Sequence, residues 1–252
     1  LEKLTLIAKD KNMLPKRHGS TVVSATLNKM TAIIAIPPLN PRLPLIMKPI
    51  VAAFDFDKTL TDRDTLIPFL IHSQGAVSTY GHAALLLPQV LLYTVGKISR
   101  QELKESFLAG CLKGKPLTAL SHHGELFALK INRIIKPEAL SRLLWHRQQG
   151  HRLVLVTAAI DLYIAPWAEL VALFDDVISS KVEIDSKGHL TGKLEGLNCR
   201  GAEKVRCLKQ LLGPRSAYEL YAYGDSEGDR ELLAYADHPF YRTFTSPTAE
   251  CP

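Results

Sequence analysis

Four cysteines in 252 residues, with no C-x-x-C pair among them, offer no ligand spacing for a structural zinc site and too few bridges for a disulfide-built fold. Cys111, Cys199, Cys207 and Cys251 read as free thiols of a reducing compartment, and a cytoplasmic location is expected. Nowhere do eighteen apolar residues run without interruption, so no transmembrane helix is expected. No internal repeat is visible. The histidines, His122 and His123 included, show no metal-ligand spacing.

Charge excess is also missing from most of the chain. The formal net charge is +6, but residues 1–49 hold eight basic and two acidic side chains and so carry all of it. The remainder has 23 of each sign, so a nucleic-acid partner is not expected of the folded body. Six of the fifteen prolines also fall in residues 1–49, a density that prevents long helices and central strands. Residues 1–47 read as a basic, proline-rich and poorly ordered extension, and Met47 is a candidate start. Without a clear apolar core and cleavage site, the segment does not read as a secretory signal.

Regular patterning begins at Ile50. Ile50–Phe54 is a continuous apolar run that ends in acidic residues, as a buried parallel strand does. Residues 65–136 read as helical. They include the very apolar Ala83–Val95 and the amphipathic Ser99–Leu112, whose Ser99 and Glu102 form a capping-box pattern. Pro137 opens a helix that Gly150 closes. Strands are expected at Arg152–Thr157, Val177–Ser180 and Glu219–Tyr223, and a hairpin at Val182–Leu194. Helices are expected over 162–173, 201–212 and 228–236. This alternation predicts an α/β fold: a three-layer, Rossmann-like parallel sheet core with an inserted all-helical cap. The core takes residues 48–64 and 137–245, the cap 65–136, and 246–252 form a tail.

Carboxylates gather at two strand ends. Asp55 and Asp57 follow the first strand two residues apart, where side chains project to the same side. Asp225 and Asp229 follow Glu219–Tyr223 in the run Y-G-D-S-E-G-D, turned by Gly224 and Gly228. Acidic oxygens converging beyond the ends of parallel strands suit a hard cation such as Mg²⁺. Thr157 ends another strand and Lys204 starts a helix, a hydroxyl and an ammonium suited to phosphoryl oxygens. Taken singly, each has a bland reading: a strand-end threonine, an exposed helix lysine, an aspartate favoured by a helix dipole. The joint pattern at four places is what counts.

D-F-D-K-T-L-T, L-V-T at Thr157, G-A-E-K-V at Lys204 and Y-G-D-S-E-G-D resemble, in order and spacing, the four motifs of the haloacid dehalogenase-like phosphatases, over about residues 48–245. The large helical insertion resembles the cap of the phosphoserine phosphatase-like branch. The resemblance implies a phosphatase in which Asp55 attacks phosphorus and carries an aspartyl-phosphate, and Asp57 acts as general acid and then general base. It implies Mg²⁺ on Asp55, the Asp57 backbone carbonyl and Asp225, with Asp229 supporting the metal site. It also implies Thr157 and Lys204 on the phosphoryl group.

Asp64 stands nine residues after Asp55, where those phosphatases usually carry a glutamate that meets the substrate amine. It is read as a substrate contact or as a cap of the following helix. The apolar Ala83–Tyr93 suits helix-to-helix packing within the cap in the first place, and otherwise a pocket wall or a peripheral membrane contact; together with G-A-E-K-V and Y-G-D-S-E-G-D it is similar to bacterial phosphatases of this branch that act on phosphatidylglycerophosphate. The expected substrate is a small phosphoester, phosphoserine-like or a lipid headgroup phosphate. Two alternatives stand beside hydrolysis: transfer of the phosphoryl group to an acceptor alcohol, and a non-catalytic binding protein that docks through its basic extension.

Overall fold

The computed structural model describes residues 48–244. The basic extension 1–47 with Met47, the tail 246–252 and Cys251 lie outside the described residues.

The element order is β1 (Ile50–Phe54), α1 (Leu66–Gln74), α2 (Ala76–Leu85), α3 (Leu87–Thr94), α4 (Arg100–Leu112), α5 (Leu117–Ile131) and α6 (Pro137–Gln148). It continues with β2 (Arg152–Ile160), α7 (Asp161–Val171), β3 (Asp176–Ser180), β4 (Val182–Ile184), β5 (Leu190–Leu194), α8 (Ala202–Leu212), β6 (Glu219–Gly224), α9 (Arg230–Tyr235) and β7 (His238–Tyr241). Five strands form one parallel sheet in the order β3-β2-β1-β6-β7. The chain leaves β1 toward β2 on one side and reaches β6 on the other. The crevice beyond β1 and β6 is therefore the topological switch point, where open α/β sheets bind ligands.

The sheet is a Rossmann-like core, as the alternating pattern predicted. On one face Val51, Ala53, Val154, Val156 and Leu220 pack with Leu208 of α8 and Leu232 of α9. Phe54 belongs to the opposite face, where its ring stacks on Tyr223 at 4.3 Å and meets His146 of α6 edge-on at 5.8 Å. β7 has no counterpart in the sequence-based reading. Pro239 demotes a short apolar run there, yet proline is tolerated on an edge strand, which β7 is.

The helical block resolves into five helices. The expected Ala83–Val95 helix is interrupted at Leu86, and α3 restarts with Pro88 in its first turn. Proline lacks the amide hydrogen and crowds the carbonyl one turn earlier, which accounts for the break. Ser99 and Glu102 make the predicted capping box: Glu102 N–H donates to Ser99 Oγ at 3.1 Å, and Ser99 N–H to Glu102 Oε2 at 2.6 Å. The antiparallel β4–β5 hairpin lies against α4. Gly192, at φ +85°, is so close that an added Cβ would fall 2.3 Å from the Ala109 Cα. Cys111, Cys199 and Cys207 are free thiols. No helix among the described residues is long and apolar enough to cross a membrane.

Candidate active site

Asp55 is held against β6 by the backbone. Its N–H donates to Tyr223 O at 2.9 Å, extending the β1–β6 ladder one residue past the strand. Phe56 then drops into the core, fully buried against Trp167 at 4.7 Å, so that Asp55 and Asp57 flank an anchored ring. Lys58 turns the chain at φ +60°, and Leu60 N–H closes the turn on Phe56 O at 2.8 Å.

The β6 end supplies Asp225 and Asp229. The backbone is tight here, since a Cβ on Gly224 would fall 2.4 Å from the Asp229 Cβ. Asp229 is fully engaged. Its Oδ2 accepts from Ser226 Oγ at 2.8 Å, Ser226 N at 3.1 Å and Asp225 N at 3.3 Å, and its Oδ1 accepts from Lys204 Nζ at 2.6 Å. Lys204 enters from the first turn of α8 and also donates to Asp55 Oδ1 at 2.5 Å. Lys204 and Asp229 are each 1% exposed and Asp55 6%, so the ammonium and both carboxylates have left bulk water together.

Burial pushes the Asp55 carboxyl up, and Lys204 pulls it back. Burial alone would lower Lys204, but Asp55 and Asp229 outweigh it and hold the ammonium above the ordinary lysine range. Burial would likewise raise Asp229, yet Lys204 keeps it low. An ammonium within hydrogen-bond reach of both acids keeps all three groups ionised. Asp225 is raised, by burial and then by Asp229.

Asp57 sits apart from this cluster. Its Oδ1 accepts from Thr65 Oγ1 at 2.6 Å and from Thr65 N at 2.8 Å, and the Thr65 hydroxyl also meets Tyr163 Oη at 3.0 Å. Burial pushes its pKa to about 7, against the bonds from Thr65. Because Oδ1 accepts both of these bonds, a proton on Asp57 belongs on Oδ2.

One cavity of 690 Å³ brings the expected residues together: Asp55, Asp57, Asp64, Thr157, Lys204, Asp225 and Asp229 all line it. Thr157 is 1% exposed, and its Oγ1 accepts from Ala159 N at 3.0 Å, which leaves its own hydroxyl hydrogen to donate. Asp64 stands at the exposed rim, paired with Lys58 at 2.6 Å. It does not cap α1: that position belongs to Thr65, which makes no side-chain cap bond.

Asp55, Asp225 and Asp229 each offer an oxygen, and these oxygens lie within 4.8 Å of one another. Asp55, Asp225 and Asp229 gather beside the single ammonium of Lys204, a local surplus of carboxylate oxygens that a hard divalent cation fits. Because Asp229 already accepts four hydrogen bonds, Asp55 and Asp225 are the better placed ligands, and Asp229 fixes Lys204.

Several residues in or beside the site escaped the sequence-based reading. Thr59 Oγ1 donates to Asp55 Oδ2 at 3.0 Å and lies 3.5 Å from Asp225 Oδ1. Lys104 of α4 reaches across to Ala158 O at 2.6 Å and Asn198 Oδ1 at 2.8 Å, and burial lowers its pKa to about 8. Arg100, Arg200 and Arg242 also line the cavity. Lysine on an amphipathic helix reads as solvated by default, so only the tertiary packing reveals Lys104.

Residues 52–234 match the haloacid dehalogenase-like hydrolases. Protein CicA of Caulobacter vibrioides is 34% identical over 203 residues, 80% of this chain and 90% of that protein. A solved protein of unknown function from Bordetella pertussis Tohama I superposes with TM-score 0.64 at 24% identity, over 75% of this chain and 87% of that one. A phosphoserine phosphohydrolase-like protein from Francisella tularensis does so with TM-score 0.54 at 17% identity, over 74% and 84%. At these identities the two structures attest the fold.

Proposed function

The chain belongs to the haloacid dehalogenase-like hydrolase family, and we propose that it hydrolyses phosphate monoesters, with Asp55 as nucleophile and Mg²⁺ as cofactor. The observation that carries this reading is the Asp55–Lys204–Asp229 chain of charge at the switch point, beside Asp225 and in one cavity with Asp57 and Thr157. A buried ammonium beside a carboxylate nucleophile suits a target that itself carries negative charge for the cation to offset. A phosphoryl group meets that description.

In this reading the Asp55 carboxylate attacks phosphorus, and the bond from phosphorus to the ester oxygen breaks. Asp57 is suited to give that oxygen its proton, since burial holds its pKa at about 7. Asp57, now ionised, takes a proton from water, which attacks the aspartyl-phosphate and releases phosphate and the Asp55 carboxylate. Lys204 offsets phosphoryl charge, and the Thr157 hydroxyl donates to a phosphoryl oxygen. Asp55, Asp225 and the Asp57 backbone carbonyl would hold the cation, with Asp229 positioning Lys204. When bound, Mg²⁺ would supply further charge neutralisation at the phosphoryl oxygens.

The substrate is a small phosphorylated metabolite, phosphoserine-like, or a lipid headgroup phosphate. The likeness in fold to the phosphoserine phosphohydrolase-like protein of Francisella tularensis supports the former. The cavity's apolar wall, with Leu66, Ile67, Leu86, Val90 and Phe107, supports a substrate with an apolar portion. Free Cys111, Cys199 and Cys207 suit the reducing cytoplasm we infer for it. The test is phosphate release from an aryl phosphate with Mg²⁺. Asp55→Asn should abolish it, and an unaffected variant refutes the assignment.

A further inference from the structure

Regular strand pairing does not deliver Thr157 to the cavity. β2 pairs with β1 as far as Leu155, and with β3 through Val156 opposite Ile178 and then Ile160 opposite Ser180. β2 advances four residues there, 156 to 160, where β3 advances two, 178 to 180, so residues 157–159 form a bulge. The extra residues of a bulge drop out of the ladder, and other contacts must fix their conformation. Two such contacts are present. Within the bulge Ala159 N donates to Thr157 Oγ1 at 3.0 Å, and from outside it Lys104 Nζ donates to Ala158 O at 2.6 Å.

Lys104 belongs to the helical insertion. On α4 it shares one face with Gln101 and Glu105, at spacings of three and four residues. That face is clasped without the lysine: Gln101 Nε2 donates to Gly196 O at 3.1 Å, and Leu194 N donates to Glu105 Oε1 at 3.2 Å. Asn198 N adds a bond to Gln101 Oε1 at 3.1 Å. What Lys104 contributes is an ammonium, and both of its acceptors, Ala158 O and Asn198 Oδ1, are uncharged. Burial lowers its pKa to about 8, a cost that merely docking the helix does not require. In return, a charge-assisted bond to a carbonyl is stronger than one from a neutral donor. Asn198 is itself braced, since its Oδ1 also accepts from Ser180 Oγ of β3 at 3.0 Å. The ammonium is thus wedged between a fixed side chain and the carbonyl next to Thr157. Lys104, Thr157, Ala158 and Asn198 all line the catalytic cavity.

We propose that Lys104 is a positioning residue: by fixing the Ala158 carbonyl it holds the Thr157 hydroxyl in line with the phosphoryl group. The proposal rests on the phosphomonoester reading of the site. Because Thr157 Oγ1 accepts from Ala159 N, the direction left to its own hydrogen follows the shape of the bulge. Hydrogen bonds weaken steeply as they bend, and a small displacement of a group that acts on the transition state lowers the rate. One side chain of the insertion thereby ties the seating of α4 to the readiness of the phosphoryl site.

The test is a double-mutant cycle on the full chain, read as kcat/KM for aryl phosphate hydrolysis with Mg²⁺. Lys104→Met removes the donors at nearly constant length, and Thr157→Val removes the hydroxyl at constant shape. Lys104→Met should lower kcat/KM about thirtyfold, and Thr157→Val about a hundredfold. The double variant should fall no more than about threefold below Thr157→Val alone, because the lysine then has no hydroxyl to position. A helix clasp with no part in positioning would instead give losses that multiply. If Lys104→Met fails to fold, Lys104→Gln, whose amide falls one bond short of the ammonium position, replaces it in the cycle. Multiplying losses, or a Lys104 variant within about threefold of the wild type, overturn the proposal and leave the Asp55 reading standing. A wild type that releases no phosphate, or an Asp55→Asn variant with wild-type activity, overturns the reading of the site and the proposal with it.

Discussion

The Lys204 ammonium lies 2.5 Å from Asp55 Oδ1, and the two side chains come from a helix and a strand end 149 residues apart in sequence. Their charges are stable in so dry a place because Asp229 takes the other side of the ammonium at 2.6 Å. Removing the lysine strands two buried carboxylates. Lys204→Ala should therefore lower stability by about 3–5 kcal/mol and lower aryl phosphate turnover by roughly a hundredfold or more. Denaturant unfolding and steady-state kinetics on the same preparation check both. Wild-type stability in the variant would mean that Lys204 does not compensate these acids.

A divalent cation that ligates Asp55 and Asp225 should stabilise the fold by mass action. Mg²⁺ should raise the thermal midpoint of the wild type, and chelation should reverse the shift and abolish turnover. Asp225→Asn, with one ligand charge gone, should need about tenfold more Mg²⁺ or higher for the same shift. Calorimetric titration of each protein with Mg²⁺ provides a reading independent of catalysis; equal affinities would remove Asp225 from the metal site.

His146 supplies a pH dependence of stability. It is fully buried, with Nε2 at 2.8 Å from Tyr223 Oη and Nδ1 at 2.7 Å from His151 Nδ1. Burial, then Arg142 and His151, lower its pKa to about 3. The unfolded chain takes up this proton near pH 6.5 and the folded one only near pH 3, so stability falls as pH drops through that window. Its contribution to the loss between about pH 7 and pH 5 is about 2 kcal/mol. His146→Gln should flatten that limb by this amount in urea unfolding measured at both pH values. A variant that loses as much stability as the wild type over this range would show that another group titrates there.

Much of the architecture was legible because it depends on short-range pattern. A parallel strand covered on both faces needs an unbroken apolar run, and Ile50–Phe54, Arg152–Thr157 and Glu219–Tyr223 supply such runs. The α4 capping box is a four-residue signature and was readable for the same reason. β7 was not, because its four residues contain a proline that only an edge position tolerates, and edge position follows from sheet order.

By itself, then, the sequence determined which residues alternate into strands and helices, and that acidic side chains would follow the first and the Glu219–Tyr223 strands. Both follow from periodicity and chain adjacency, which are local. Tertiary structure alone decided how the charges are shared. It put Lys204 between Asp55 and Asp229, turned Asp57 onto Thr65, drew Lys104 from α4 to Ala158 and left the leucines of α3 exposed. Pairing and burial depend on which distant segments the sheet brings together, and no local pattern encodes that distance.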